Sequence, residues 1–377
     1  MDFGLNEDQE LLQRSAADFL AAECSPSFVR EVARDDEGFP RGLYGRMAEL
    51  GWMGLIIPET YGGAGLSLLD LALLVEQLGR AVVPGPFFSS AVLASLAILY
   101  GGTSAQKKTW LPRLASGEAI GALAWLEASD RLDAPGVAAR ARKAKGAYRL
   151  SGQKLFVTDA HVADVVVAAF RTAGRGEDGV TLFLVPRDTP GVSVKTMRSI
   201  DPTRRPTEIR FDDVELPASA VLGSENKGWK TLARILDAAA IVLAADSLGG
   251  SERALEMAVD YAKVREQFGR PIGSFQAVKH MAAEMVSEIE PARSLVWYAA
   301  YAYEALPRDA SRAAAMAKAC LSDVYSRTTN RAVQIHGGIG FTWEHDIHFW
   351  FKRAKWNEVA FGDATYHRER LAQLARF

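Results

Sequence analysis

The feature that most constrains the fold of this chain is a block of short, strand-like segments between two helical blocks. AYRLSGQKLFVTD, ADVVVAAFRT, GVTLFLVPRD and TEIRFDDVELP are rich in β-branched and aromatic residues and are separated by turn residues. That pattern predicts a run of antiparallel strands. The sequences on both sides instead carry apolar residues at helical spacing. We therefore expect an α+β protein, mainly helical, with one antiparallel β domain in its middle.

The same patterns predict three domains. These are an N-terminal helical domain (1–117), a middle β domain (118–222) and a C-terminal helical bundle (223–377). In the first domain SLLDLALLVEQLGRA has helical spacing, and its first residue, Ser67, is a suitable N-cap. The helices of the last domain are longer, and their apolar stripes can pack on each other as a bundle.

Composition excludes several classes of function. The chain has 377 residues and a net charge of −2, so a large basic surface for nucleic acid is not expected. Cys24 and Cys320 are far apart and have no nearby Cys or His cluster, which disfavours a metal site or a disulfide framework. The acidic, amphipathic N-terminus is unlike a signal peptide, and AVLASLAILY is too short to span a bilayer. We expect a cytoplasmic protein.

An interrupted helix is the first candidate functional feature. VREQFGRPIGSFQAVKH begins and ends like a helix but places Gly269, Pro271 and Gly273 within five residues. In a helix, proline costs ~3 kcal/mol and each glycine ~1 kcal/mol relative to alanine. A turn between antiparallel helices explains the break without any function. The break nevertheless puts Arg265, suited to phosphate, and Gln276, suited to polar ring edges, beside an exposed turn.

A second helix break occurs in RAVQIHGGIGFTWEHD. Gln334, Gly337, Gly338 and Gly340 form a segment where the backbone can closely approach a ligand. A helix C-cap followed by a turn is again the alternative. His336 is expected to be a core histidine with a satisfied hydrogen bond.

The order of these parts, and several longer stretches, resemble the acyl-CoA dehydrogenase family over essentially the whole chain. The resembling stretches are PETYGGAGLSLLDLALLVEQLG, LSGQKLFVTDA, VREQFGRPIGSFQAVKHMAAEM and VQIHGGIGFTWEHDIHFWFKRA. The resemblance implies an N-terminal helical domain, a middle β domain and a C-terminal four-helix bundle, assembled into dimers or tetramers. It also implies FAD as cofactor, an acyl-CoA thioester as substrate, and an electron-transfer flavoprotein or similar acceptor as partner.

The resemblance assigns flavin contacts to both helix breaks. Residues matching Arg265, Phe268 and Gln276 contact the ADP half of an FAD that is held mainly by the dimer mate. Those matching Gln334, Gly337 and Gly338 do likewise.

In the β domain, Thr158 matches the threonine that hydrogen-bonds the flavin near N5. Phe156 stands where many relatives have tryptophan.

The expected catalytic base is missing from the first of its two family positions. The family reaction removes an α-proton with a carboxylate while the carbonyl is polarised by hydrogen bonds. Most relatives carry this carboxylate in a turn after the bundle, where this chain has Phe361. Asp363 is a weak candidate, because it is well placed as the N-cap of the last helix. Glu358 lies at the expected end of the preceding helix.

The second family position of the base holds Ala239, on a bundle helix. Asp237 is two residues away, about 200° round the helix, and so faces a different direction. Asp246 is seven residues on and shares the face, but it is displaced by about 10 Å. The arginine that usually follows is Ala240 here, and only Glu127 and Ser129 resemble the family's thioester loop.

Compared with the family, this chain therefore has the residues that contact the flavin of the partner subunit. It lacks most of the residues that form a subunit's own active site. This pattern resembles the smaller, base-lacking subunit of heteromeric acyl-CoA dehydrogenases, which often take bulky thioesters such as steroid side chains. The alternatives are a self-sufficient homomer with a relocated base, a flavin monooxygenase or oxidase on the same fold, and a non-enzymatic CoA-binding or scaffold protein.

Overall fold

The computed structural model of this chain describes residues 4–144 and 146–375. Within them the α-helices are α1 (Glu7–Glu23), α2 (Pro26–Arg34), α3 (Arg41–Glu49), α4 (Leu68–Arg80), α5 (Ser95–Gly101), α6 (Ser104–Ala115), α7 (Gly228–Val264), α8 (Gln276–Ala305), α9 (Ala310–His336), α10 (Ile347–Val359) and α11 (Ala364–Leu374). The strands are β1 (Gly121–Ala124), β2 (Arg140–Ala144), β3 (Ala147–Thr158), β4 (Val165–Arg171), β5 (Val180–Pro186), β6 (Val192–Thr196), β7 (Pro206–Pro217), β8 (Val221–Leu222), β9 (Glu266–Gln267) and β10 (Arg270–Pro271).

The chain forms two compact units. The first unit contains Met1–Glu31, Ser67–Val83 and Asp237–Phe377, and the second contains Val32–Leu66 and Pro84–Leu236. The expected fold class, mainly helical with a middle β domain, is confirmed. The three predicted domain boundaries stay a prediction.

The second unit is built around one sheet with the strand order β6-β7-β3-β2-β4-β5-β8. Most neighbouring strands are antiparallel, as predicted from the short strand-like segments. The sequence did not reveal that β1 pairs in parallel with β4, with Gly121 opposite Val165. All seven residues of β4 are buried, which explains why this strand is continuously apolar rather than alternating.

A π-helix, Phe87–Ala94, packs on β1 in the same unit and is fully buried. Ser90, inside this helix, accepts a hydrogen bond from the backbone of Gly121 (3.1 Å). A helix of this kind has no distinctive sequence pattern, and we did not predict it.

The long helices of the first unit form the bundle. Helix α8 packs on α9 and α4, and the two short helices α10 and α11 both pack on α9. The glycine pair in α7 explains how neighbouring helices come so close. A Cβ atom at Gly249 would lie 1.8 Å from the carbonyl oxygen of Glu76, and one at Gly250 would lie 2.3 Å from the hydroxyl of Tyr325.

Two predicted helix caps are confirmed. Ser67 and Asp70 form a capping box at the start of α4, in which each side chain accepts from the other residue's backbone (3.3 and 2.9 Å). Asp363 caps α11 by accepting from the backbone of Tyr366 at 2.7 Å. Of the helices in the described part of the chain, none is both long and apolar enough to cross a membrane.

Candidate functional site

The first helix break is a short β-hairpin with a two-residue loop, between α7 and α8. Strands β9 and β10 pair antiparallel, and the hairpin is closed by a hydrogen bond from Ile272 to the carbonyl of Arg265 at 2.7 Å. Phe268 and Gly269 form its tip with φ values of 55° and 75°. Positive φ at both central residues is typical of a type I′ turn, whose twist matches that of the flanking strands. The predicted exposed turn is therefore a β-hairpin.

The hairpin presents its side chains to the outside. Phe268 is 92% exposed although it is a bulky aromatic residue in a left-handed conformation. Such strain in a non-glycine residue is typical of functional positions. Arg265 and Gln276 are also exposed, and among the described residues α8 begins without a side-chain cap. The free N–H groups of its first turn form a positive end that suits an anion.

The second helix break ends α9. Gly337 is the C-cap, with φ of 64°, and Gln334 in the last turn is exposed. Gly338 has no positive φ, and a Cβ atom there would meet no described atom within 4 Å. Nothing in the described chain therefore requires glycine at 338. A close approach from outside the chain would require it.

The two breaks lie at the same end of the bundle. Tyr261 of α7 stacks on His336 of α9, with ring centroids 4.7 Å apart and planes 25° from parallel. An apolar cavity of about 370 Å³ lies between the helices there, lined by Ala262 of α7, Val278 of α8 and Ile335 of α9. Lys263 and Lys279 also line it. The bundle residues predicted to contact flavin thus lie on chain segments at one end of the bundle: Arg265, Phe268, Gln276, Gln334, Gly337 and Gly338.

Thr158, the other predicted flavin contact, ends β3 in the second unit. It is buried and lies between two residues with strained backbone, Phe156 (φ 53°) and Asp159 (φ 57°). Phe156 is 55% exposed where the strand register shifts. Asp159 is fixed below the surface by Ser89, whose hydroxyl donates to Asp159 Oδ2 at 2.9 Å. Burial raises the pKa of the Asp159 carboxyl.

The loop between β1 and β2, which corresponds to the predicted thioester loop, is held by an internal ion pair. Lys154 Nζ lies 2.6 Å from Glu127 Oε1, and the same oxygen accepts from the backbones of Ala138 and Ala139 at 3.0 Å each. Burial lowers the pKa of Lys154 to about 8. Glu127 is therefore used to close the loop, while Ser129 is exposed.

The first base position lies in a turn fixed by two side chains. Phe361 is half-buried and has a φ of 59°, another strained conformation for a bulky residue. Its carbonyl oxygen is 3.0 Å from His367 Nε2. Lys318 Nζ donates to the carbonyls of Asn357 and Gly362 at 2.7 and 2.8 Å. The turn is well defined, and it presents a phenyl ring at the position where the resemblance predicts a carboxylate.

Ala239, at the second expected base position, is completely buried. Asp246 is buried between Arg353 Nη1, 2.9 Å from Oδ1, and Asn357 Nδ2, 2.7 Å from Oδ2.

Asp237 has one hydrogen bond and one ion pair. Its Oδ2 accepts from Ser311 at 2.6 Å, and its Oδ1 lies 2.6 Å from Arg370 Nη1. The described structure therefore engages both oxygens of each buried carboxylate with other side chains of the bundle.

The other acids near position 361 also have structural partners. Asp363 caps α11, and Glu358 Oε2 lies 3.1 Å from Lys355 Nζ. Sequence reasoning missed the residues that fix these elements, namely Lys318, His367, Lys154 and Tyr261. A lone lysine or histidine on a helical face gives no signal of its own, because its partners are distant in sequence. His336 was expected to be a satisfied core histidine, and its Nδ1 lies 2.7 Å from the carbonyl of Ala332.

Comparison with known families identifies acyl-CoA dehydrogenase domains along nearly the whole chain. Three family models match: the acyl-CoA dehydrogenase N-terminal domain over residues 6–118, the middle domain over 122–214 and the C-terminal domain over 226–375. An acyl-CoA dehydrogenase of Bacillus subtilis is 34% identical over 369 residues, which cover 97% of each chain.

Solved structures are also similar. The butyryl-CoA dehydrogenase of Megasphaera elsdenii has a TM-score of 0.92 and 32% identity, covering 100% of each chain. The ChsE4–ChsE5 complex of Mycobacterium tuberculosis contains a chain with a TM-score of 0.90 and 27% identity, covering 100% of this chain and 99% of that one.

Proposed function

Because this chain belongs to the acyl-CoA dehydrogenase family, we propose that it is the flavin-anchoring subunit of a heteromeric acyl-CoA dehydrogenase. The family assignment makes it an FAD-dependent oxidoreductase. When bound, FAD supplies the electron acceptor for oxidation of the Cα–Cβ bond of an acyl thioester. Within the proposed enzyme this chain completes the flavin site of a related partner chain, and the partner provides the base.

The residues of the two helix breaks fit the ADP half of FAD. Arg265 and the uncapped start of α8 offer positive charge and N–H donors to a pyrophosphate. Gln276 and Gln334 offer donors and acceptors to polar groups of the nucleotide. Gly338 leaves open the volume that a Cβ atom would fill. Thr158 is proposed to hydrogen-bond flavin in the β domain, where Phe156 replaces the usual indole.

The observation that carries the proposal is the contrast between the exposed residues of the two helix breaks, Arg265, Gln276 and Gln334, and the acids that are bonded within the bundle. Phe361 and Ala239 stand at the two expected base positions, and the two buried candidates, Asp246 and Asp237, each contact two other side chains. A carboxylate held in this way is poorly placed to accept a proton from a substrate. These contacts count against a self-sufficient homomer with a relocated base.

The substrate and partners are proposed on the same basis. We propose an acyl-CoA thioester, with a fatty acyl or steroid-derived acyl group, as substrate, and an electron-transfer flavoprotein or similar electron acceptor as partner. The similarity to a chain of the ChsE4–ChsE5 complex supports a heteromeric arrangement. A cytoplasmic location stays a prediction from the sequence.

Co-expression tests the proposal. Three samples would be purified: this chain alone, a candidate family member that carries an intact base, and the two chains co-expressed. Flavin content would be measured by the visible spectrum, and dehydrogenation with an artificial electron acceptor. We expect turnover to require the pair. Robust turnover by this chain alone would favour the homomer, oxygen-dependent product formation would favour an oxidase or monooxygenase, and colourless, inactive mixtures would favour a CoA-binding or scaffold protein.

A further inference from the structure

Three aromatic rings connect the two helix breaks inside the first unit. His336, the last residue of α9, is stacked on Tyr261 and also contacts His345, with ring centroids 4.3 Å apart. Tyr261 lies one helical turn before Arg265, whose backbone donates to its carbonyl at 2.8 Å. His345 lies just before α10. Each ring therefore belongs to a different chain segment next to the exposed surface.

Hydrogen bonds fix the two imidazole rings. His336 Nδ1 lies 2.7 Å from the carbonyl oxygen of Ala332 and must carry the proton, because a carbonyl can only accept. His345 Nδ1 accepts from the backbone of Ile347 at 3.1 Å, so this nitrogen carries no proton. Burial lowers the pKa of both rings, which agrees with neutral side chains in the stack.

The middle ring is the best placed to relate the two breaks. His336 is 3% exposed, two residues after Gln334 and directly before Gly337 and Gly338. It contacts the helix that leads to the hairpin on one side and the segment that leads to α10 on the other. The glycine segment after it packs closely on the end of α9, since a Cβ atom at Gly340 would lie 2.8 Å from the carbonyl oxygen of Val333 and 3.0 Å from His336 Cβ.

We propose that His336 is a positioning residue, which holds the end of α9 against the end of α7 through the stack with Tyr261 and His345. The stack sets the spacing between the Arg265 hairpin and the Gln334–Gly338 segment. The inference rests on the proposed function only in taking that surface to bind flavin. His336 itself does not contact the cofactor in this proposal.

The variants separate ring stacking from the hydrogen bond. His336→Phe keeps an aromatic ring but loses the bond to Ala332, whereas His336→Ala loses both. Tyr261→Leu removes the stack from the α7 side and serves if His336→Ala does not fold. Tyr301→Ala is the matched control, because Tyr301 is 47% exposed in the C-terminal part of α8, far along the helix from the hairpin.

Two measurements on the purified oligomer decide the matter. Flavin content reports the surface as a whole, and hydrogen exchange of residues 264–275 reports the hairpin alone. Loss of two aromatic contacts should speed exchange there by about tenfold. We expect His336→Ala and Tyr261→Leu to lose flavin and to exchange faster, while His336→Phe and Tyr301→Ala behave like the wild type.

The outcomes distinguish this inference from the proposed function. Unchanged flavin content and exchange in His336→Ala would overturn the positioning role, and so would equal losses in His336→Phe. If the wild-type oligomer contains no flavin, the proposed function fails, and exchange alone decides: faster exchange confined to the Ala and Leu variants keeps the positioning role, and unchanged exchange overturns it.

Discussion

The amino group of Lys318 lies 2.8 Å from the carbonyl oxygen of Gly362, so a helix α9 side chain holds the turn that carries Phe361. The same nitrogen bonds the carbonyl of Asn357 at 2.7 Å and the hydroxyl of Ser322 at 2.9 Å. Lys318 thereby caps the C-terminal end of α10, where carbonyl groups lack helical partners. Burial lowers the pKa of this lysine to about 7, so its environment tolerates the charge only partly.

Lys318→Met should destabilise the protein by about 2 kcal/mol, because buried carbonyl groups would lose their donor. Lys355→Met is the matched control on α10: Lys355 is 31% exposed and contacts Glu358 (3.1 Å) and the hydroxyl of Ser326 (2.6 Å) rather than buried carbonyl groups, so its loss should cost less. Both variants would be compared by denaturant unfolding. Equal stability of the two variants would show that the turn does not depend on Lys318.

A buried glutamate should make stability depend on pH. The pKa of Glu76 is raised to about 7, first by burial and then by the charge of Glu252. Its contacts with Arg293 and Trp297 are long, 3.5 Å each, whereas Arg293 approaches Glu252 to 2.7 Å. Between about pH 4.5 and 7 the folded state keeps a proton that the unfolded state has lost. The free energy of unfolding therefore falls as pH rises through this window.

Glu76→Gln should remove this contribution, because glutamine stays neutral. The stability of the variant relative to wild type should rise between pH 5 and pH 8 by on the order of 2 kcal/mol. Denaturant unfolding at several pH values measures it. Glu118→Gln, on the surface, should stay within ~0.5 kcal/mol of wild type. If the stability of Glu76→Gln relative to wild type fell between pH 5 and pH 8, the raised pKa of Glu76 would be contradicted.

The sequence was most informative where the evidence is local. The caps at Ser67 and Asp363 follow from residue type next to an apolar helical pattern, and both are present. The hairpin tip was predicted only as a turn, because Phe268–Gly269 lacks the usual Asn-Gly signature. The role of Lys318 was invisible, since its acceptors lie some 40 residues away in sequence. Pairing of β1 with β4 is likewise non-local.

Arg265→Ala should lower flavin occupancy and leave the fold intact, because Arg265 is exposed beside the hairpin and is proposed to bind the pyrophosphate. Loss of a charged hydrogen bond of this type costs about 1.5–3 kcal/mol, or roughly tenfold to a hundredfold in affinity. Arg312→Ala, at the opposite end of α9, is the control. The flavin content of the purified oligomer would be measured from the visible spectrum. A flavin content equal to wild type in both variants would refute the role of Arg265.

Gly338→Ala tests the open volume beside the second helix break. The added methyl group meets no described atom within 4 Å, so thermal stability should change little. Flavin affinity should fall if the nucleotide approaches the backbone there. Gly45→Ala in α3, where a Cβ atom is equally free of described neighbours, should leave flavin content unchanged. Unchanged flavin affinity in Gly338→Ala would exclude a close approach at this position.

Stability measurements can show whether the candidate bases Asp246 and Asp363 have structural roles instead of a catalytic one. Asp246→Asn should destabilise the protein by about 3–5 kcal/mol, because it leaves the buried Arg353 without its carboxylate partner. Asp363→Asn should be nearly neutral, since asparagine also caps helices well. Chemical unfolding of both variants is the measurement. An Asp246→Asn protein with wild-type stability would reopen the possibility that Asp246 acts on substrate.

If Phe361 and Ala239 occupy the two base positions, as we propose, the chain alone should be nearly inert toward acyl-CoA even when flavin is bound. A general base typically contributes about 10²–10⁴-fold to the rate, and water substitutes poorly in a closed apolar site. The test is steady-state dehydrogenation by the homomer, by a base-bearing partner and by their mixture. A mixture made with the Arg265→Ala variant of this chain should turn over more slowly. A homomer that turns over robustly, and that loses activity in Asp237→Asn without losing stability, would place the base on α7 and make this chain a complete enzyme.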